Sequence, residues 1–158
     1  ASREAREEAG LSLDPEALVQ ISHWTTPEGL PKRFATWFFV GSADATQVRV
    51  DGGEIHAHAW LTPAAALEAR RAGEIELPPP TFVTLTTLLE TRSTAEAIAA
   101  ARAQSPLVYL PRLVRLEGGA CSLYPADAGW ETRDPSLEGA RHRLLMLDSG
   151  WRYLRDPF

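Results

Sequence analysis

The chain has one cysteine, Cys121, in 158 residues. No disulfide can form within it, so core packing must hold the fold, and a reducing compartment such as the cytoplasm is expected. No apolar run approaches the ~18 residues that a membrane-spanning helix needs, and no secretory signal pattern is present. Neither a Walker loop nor a dinucleotide fingerprint occurs, which excludes the nucleotide folds built on them. Ser22 and Ser122 lack a Gly-x-Ser-x-Gly setting, so a serine hydrolase of that type is not expected. Positive charge is in deficit: the net charge is −5, against an electrostatic nucleic-acid binder. There is no internal repeat, low-complexity tract or linker. An initiator methionine is absent too, and the expectation is a fragment or the tail of a longer polypeptide.

What is present suits one globular domain. Hydrophobic residues make up 44% and charged residues 23%, ordinary values for a core of this size. Leu18 to Thr25 reads as a strand between the turn signals Asp14-Pro15 and Thr26-Pro27-Glu28-Gly29. Arg33 to Gly41 reads as its hairpin partner, and its aromatic and β-branched content predicts a buried central strand. Val48 to Val50 is a short strand candidate, and Glu54 to Leu61 alternates as a strand would. Thr62-Pro63 predicts a helix over 64–72 that ends at Gly73. Pro78-Pro79-Pro80-Thr81 opens another, with Phe82, Leu85, Leu88 and Leu89 as its core stripe. Ser93 to Glu96 is a capping box for a third. From Leu107 the pattern becomes β. Pro111 suggests an edge strand or a bulge within Leu107 to Leu116, and hairpins follow at Gly118-Gly119 and at Asp148-Ser149-Gly150. The order implies a mixed α/β arrangement with a mixed sheet.

The first eleven residues carry the most chemistry. Glu4, Glu7 and Glu8 stand at i, i+3 and i+4, one face of a helix. Ala1, Ala5 and Ala9 form another face, suited to close packing on a sheet. Gly10 and Leu11 are the expected C-terminal stop. Like charges at this spacing cost a helix a few tenths of a kcal/mol per pair, and a hard cation such as Mg²⁺ or Mn²⁺ would relieve them. A solvated face is the plain alternative.

Arg3-Glu4-x-x-Glu7-Glu8-x-Gly10-Leu11 resembles the end of the Nudix box, with Ala5 where a bulkier aliphatic residue is common. The glycine loop and upstream glutamate of that box do not occur in this chain. Further stretches resemble one Nudix branch, that of the peroxisomal coenzyme A diphosphatase and its bacterial relatives. They are His23 to Pro27, Lys32 to Val40, Trp60 to Leu67 and Leu77 to Leu85. The resemblance implies an α/β/α sandwich, N-terminally incomplete here, over residues 1–104. A C-terminal β-rich extension of the same domain would span 105–158. It implies a Mg²⁺- or Mn²⁺-dependent hydrolase of a nucleoside diphosphate linked to another group, with coenzyme A or acyl-coenzyme A favoured. Glu4, Glu7 and Glu8 would hold metal, Glu7 and Glu8 would be catalytic, and Arg3 would be structural, unpaired without its upstream glutamate. Glu54, six residues before Trp60, would be the further catalytic acid.

Other candidates stand beside these. Lys32 and Arg33 can hold a substrate phosphate or simply solvate a hairpin tip. Trp24, Trp37 and Phe39 can stack on a base or fill the core; Trp37 is the substrate-binding choice. His56 and His58 share a strand face as a zinc pair would, but no further ligand stands at motif spacing. A sheet cut at the box would leave an apolar face for upstream residues or a second copy, a homodimer, to cover. Nucleic acid and membrane are not expected partners. The competing function is a Nudix-fold binding or regulatory module without catalysis.

Overall fold

A computed structural model describes residues 1–29, 31–43, 48 and 58–156, with Glu8 by its backbone alone. Seven strands and four α-helices follow one another as α1 (Ser2–Ala9), β1 (Val19–Thr25), β2 (Ala35–Val40), α2 (Pro63–Arg71), α3 (Pro79–Leu88), α4 (Thr94–Arg102), β3 (Leu107–Tyr109), β4 (Arg112–Leu116), β5 (Gly119–Leu123), β6 (His142–Leu147) and β7 (Gly150–Arg155). A 3-10 turn, Pro15–Ala17, precedes β1.

The strands form two sheets, ordered β2-β1-β3 and β4-β5-β6-β7. The first is mixed as expected, since β1 runs antiparallel to β2 and parallel to β3. The second is wholly antiparallel. This mixed α/β architecture is compatible with the Nudix-type sandwich that the sequence resembles. No helix of the described residues is long and apolar enough to cross a membrane.

Local chemistry sets the helix boundaries. Thr62 Oγ1 accepts from the Ala65 N–H at 3.1 Å to start α2. Ser93 Oγ accepts from the Glu96 N–H at 3.1 Å to start α4. Glu96 reaches back to the Arg92 N–H, one residue beyond the usual capping-box partner. Gly73, at φ 76°, follows α2 in the left-handed region that side chains disfavour.

The core is shared by both sheets and α3. Trp24, Phe82, Val83, Tyr109, Tyr124 and Leu144 are its buried members. Trp24 stacks on Tyr109 at 3.8 Å, and Tyr124 meets both rings edge-on. These contacts bring the end of the first sheet against the second, with Tyr109 Oη and Tyr153 Oη 3.1 Å apart in a shared hydrogen bond.

Several expectations need correction. Among the described residues β2 stands at the end of its sheet and β1 holds the middle, and Trp37 and Phe39 of β2 are exposed. Aromatic and β-branched content reports packing against neighbours, not place in the sheet. The segment from Leu107 to Leu116 is two strands rather than one, and among the described residues β3 and β4 each stand at the edge of a sheet, as Pro111 suggested. It breaks at Leu110-Pro111, where the chain leaves the first sheet for the second. Proline has no N–H for a ladder, so the break falls where pairing stops. α3 buries Phe82 and Val83, while Leu89 is exposed, because β7 and α2 approach the Phe82 side. The strand expected over Glu54 to Leu61 is irregular across 58–61, and its remainder lies outside the described residues. Of the candidate at Val48 to Val50, Val48 alone is described, and it lies in no strand.

Candidate active site

α1 forms without a side-chain cap at its start, so its ends are decided elsewhere. Gly10 sits at φ 66°, ψ 10°, and the chain closes there with the left-handed glycine of an αL motif. The Gly10 N–H donates to Arg6 O at 3.2 Å and the Leu11 N–H to Ala5 O at 3.0 Å. The sequence signal for this stop was sufficient, because glycine alone adopts that conformation without strain.

The helix places Glu4 and Glu7 on one side, both well exposed. Arg3 is paired, contrary to expectation: its Nη1 lies 2.7 Å from Glu7 Oε2, an i,i+4 contact within the helix. In place of an upstream partner, Arg3 takes the nearest carboxylate on its own face. Such an exposed pair contributes ~0.3–0.5 kcal/mol, far less than a divalent ion's hold on a carboxylate. The backbone puts Glu8 next to Glu7 on α1, but its side chain is outside what is described, and Glu54 lies outside the described residues altogether. Among the described residues, no three His, Cys, Asp or Glu come together as a metal group.

The opposite side of α1 faces the first sheet. Ala1 and Ala5, with Leu13 and Leu18, line a groove against Trp37 and Phe39 of β2. Of the three alanines expected to pack closely on a sheet, Ala1 and Ala5 thus border this groove. The Trp37 ring stacks on His23 of β1, centroids 4.8 Å apart and planes 12° from parallel. Trp37 is 54% exposed, so its other face is open for a flat partner. Trp24 is buried and belongs to the core instead.

The hairpin loop before β2 is tied down by Thr26. Its N–H donates to Phe34 O at 3.0 Å, and its Oγ1 accepts from the Phe34 N–H at 2.9 Å. Arg33 is exposed and donates through Nε to Thr26 O at 3.4 Å, which aims the guanidinium from the hairpin's base. Lys32 is exposed beside it. Glu28 in the same loop pairs with Arg133 at 2.7 Å, across 105 residues of sequence. His58 is exposed and lies in no strand; His56 is outside the described residues.

Sequence reasoning missed the most perturbed groups, which lie where the two sheets meet and in the connection between β5 and β6. Asp127 and Arg143 form a buried, bidentate pair. Burial pushes the Asp127 carboxyl up, and Arg143 with the His142 and Gly129 N–H groups pulls it below its ordinary value. Burial lowers His142, raises the Tyr109, Tyr124 and Tyr153 phenols, and pushes the Cys121 thiol up to about 11. A thiol so placed is inert, a small apolar core group. Nothing in the sequence linked Asp127 to Arg143.

The acyl-coenzyme A diphosphatase NUDT19 of Xenopus laevis is 29% identical to this chain over 137 residues, 82% of the chain and 36% of that protein. The chain therefore spans about a third of the length of this curated relative. The similarity supports the family that the α1 run resembles, without fixing a branch. No family model matches, and no solved structure matches.

Proposed function

We propose that this chain carries much of the catalytic domain of a Nudix hydrolase. It would use Mg²⁺ or Mn²⁺ to cleave the pyrophosphate of a nucleoside diphosphate linked to another group, with coenzyme A or acyl-coenzyme A as the favoured substrate. Residues 1–104 would be the Nudix domain and 105–158 its β-rich extension, in a cytoplasmic protein able to form a homodimer. The carrying observation is that the box-like run folds as a helix with Glu4 and Glu7 exposed side by side. The similarity to an acyl-coenzyme A diphosphatase supports the same reading.

The donor set fits a hard cation, since it offers carboxylate oxygens alone on an open face. Glu4, Glu7 and Glu8 would hold the ion, which when bound would neutralise phosphate charge and make a water nucleophilic. Glu7, Glu8 and Glu54 are the catalytic acids of this reading. Arg3, paired with Glu7 along the helix, would hold that carboxylate in place on the same face. Arg33 would meet a phosphate from the base of the hairpin, and Trp37 would stack on the base against its His23-backed ring.

The Arg3–Glu7 pair also favours a second reading, a binding module that does not catalyse. Assaying the full-length protein with Mn²⁺ on coenzyme A, acyl-coenzyme A and nucleotide sugars separates the two. Cleavage between the phosphorus atoms, giving two phosphate monoesters and lost in Glu8→Gln, supports the hydrolase. Saturable substrate binding without cleavage supports the module.

A further inference from the structure

Glu28 and Arg133 meet from distant parts of the chain, with Arg133 Nη2 at 2.7 Å from Glu28 Oε2. Glu28 sits in the loop between β1 and β2, the same loop that ends in Lys32 and Arg33. Arg133 belongs to the long connection between β5 and β6. Among the described residues this is the loop's one ion pair with the rest of the chain.

The two sides of the pair differ in how they are held. The Arg133 side is tied to β4 and to the chain before it. Arg112 donates to Trp130 O at 2.7 Å and to Glu131 O at 2.8 Å, and its guanidinium lies 3.9 Å from the Trp130 ring centre. Trp130 Nε1 donates to Leu110 O at 2.8 Å. The Asp134 N–H closes a turn onto Gly129 O at 3.0 Å, with Arg133 inside it at φ 56°. A residue other than glycine stays in that region only where its surroundings fix the backbone. The Glu28 side is a hairpin loop closed at its base between Thr26 and Phe34. Bonds at the base fix where the loop starts, and a contact beyond them fixes how it lies. Arg33 donates to Thr26 O at a long 3.4 Å, a bond weak enough to follow the loop.

We propose that Arg133 is a positioning residue: through Glu28 it sets the tilt of the hairpin at which Arg33 meets a phosphate of the substrate. This rests on the phosphate role given to Arg33 in the hydrolase reading. It makes the β-rich extension part of the substrate site although Arg133 itself does not touch substrate. The effect falls on affinity rather than on the chemical step, since Arg33 serves phosphate binding and the α1 carboxylates serve cleavage. An exposed ion pair adds little to global stability, so the fold survives its loss.

The test compares full-length wild type with Arg133→Gln, Arg133→Lys, Arg33→Gln and Arg33→Gln/Arg133→Gln, on coenzyme A with Mg²⁺. Arg133→Gln is expected to raise KM about fivefold, the upper range for one exposed pair, with kcat changed by less than about twofold. Arg133→Lys is expected to keep most of the affinity. In the Arg33→Gln background Arg133→Gln is expected to add nothing, because the residue it acts through is gone. In the substrate-free protein the ¹⁵N–¹H signal of Arg33 Nε is expected to shift in Arg133→Gln and to stay in Arg133→Lys. An unchanged KM in Arg133→Gln, a fall in kcat as large as the rise in KM, the full effect retained in Arg33→Gln, or an unmoved Arg33 signal overturns the proposal. A wild type that binds coenzyme A without cleaving it removes the hydrolase reading alone, and the same comparison is then read on Kd by calorimetry. A wild type that does not bind coenzyme A overturns the proposal.

Discussion

Arg143 grips Asp127 with two N–H donors, Nε at 2.7 Å from Oδ2 and Nη2 at 2.6 Å from Oδ1. Both side chains are almost wholly buried. Asp127 also accepts from the backbone N–H groups of His142 at 2.8 Å and Gly129 at 2.9 Å. Arg143 in turn donates to Pro135 O at 2.7 Å. The pair thus fastens the long connection between β5 and β6 onto the outer face of the second sheet.

Removing one partner leaves a buried charge alone, which costs on the order of 3–5 kcal/mol. Asp127→Ala should therefore lower the urea midpoint steeply, and Arg143→Met should do the same. The double change Asp127→Ala/Arg143→Met should cost clearly less than the two losses added. Additive losses in this double-mutant cycle would show that the pair does not act as a unit.

Acid should weaken the fold in two stages. Burial holds the folded-state pKa of His142 below its ordinary value, although the Pro125 carbonyl at 2.6 Å favours the charged form. As pH falls below about 6.5, the unfolded chain takes up this proton first, so stability falls until the folded pKa is passed. The depressed Asp127 carboxyl contributes stability above about 3.9, and that is lost as pH falls further, through its folded value. Urea midpoints measured from pH 8 to pH 3 should show both stages, and His142→Gln should flatten the upper one. A midpoint constant from pH 7 to pH 5 would contradict this.

Arg70 of α2 lies between two aromatic rings. Its guanidinium carbon is 3.8 Å from the Trp151 ring centre and 5.2 Å from that of Phe82, and those two rings meet edge-on. Through this sandwich α2 and α3 are joined to β7. Arg70→Ala should cost about 1–2 kcal/mol through lost cation–π attraction and lost packing. Arg70→Met, which keeps the bulk but not the charge, should recover part of it. Equal losses in both, measured by chemical denaturation, would assign the whole effect to the cation.

For the proposed hydrolase, Glu7→Gln and Glu8→Gln should each weaken Mn²⁺ binding and cut turnover by a factor on the order of 10² or more. Glu54→Gln should lower kcat more than it changes KM. Electron paramagnetic resonance of Mn²⁺ gives the first quantity and steady-state kinetics the rest. Near wild-type hydrolysis in both Glu7→Gln and Glu8→Gln would remove the metal role from α1.

Much of the local structure is written in short-range signals. Gly10 stops α1, Thr62 starts α2 and Ser93 starts α4, each through bonds made within a few residues. The hairpins at Gly118-Gly119 and Asp148-Ser149-Gly150 form where their turn residues stand. The shared face of Glu4 and Glu7 needs only the helical period, and so does the face that carries Ala1 and Ala5.

Contacts between distant residues are another matter. Leu107 to Leu116 is rich in apolar β-formers on both sides of Pro111, and its division between two sheets there depends on which strands stand on either side. Trp24 and Trp37 look alike in sequence, yet they stand on opposite faces of the β1–β2 ladder, one in the core and the other outward. The Asp127–Arg143 pair, the Arg70 cluster and the cavity under α4, lined from Gln20 to Arg155, join residues as many as 135 positions apart. By itself the sequence determined where helices and hairpins begin and end, and which carboxylates share a face, because backbone hydrogen bonding and side-chain period are local. Which aromatics are buried, which charges are paired and where space is left under α4 were decided only by tertiary packing, since each depends on surfaces brought together from both ends of the chain.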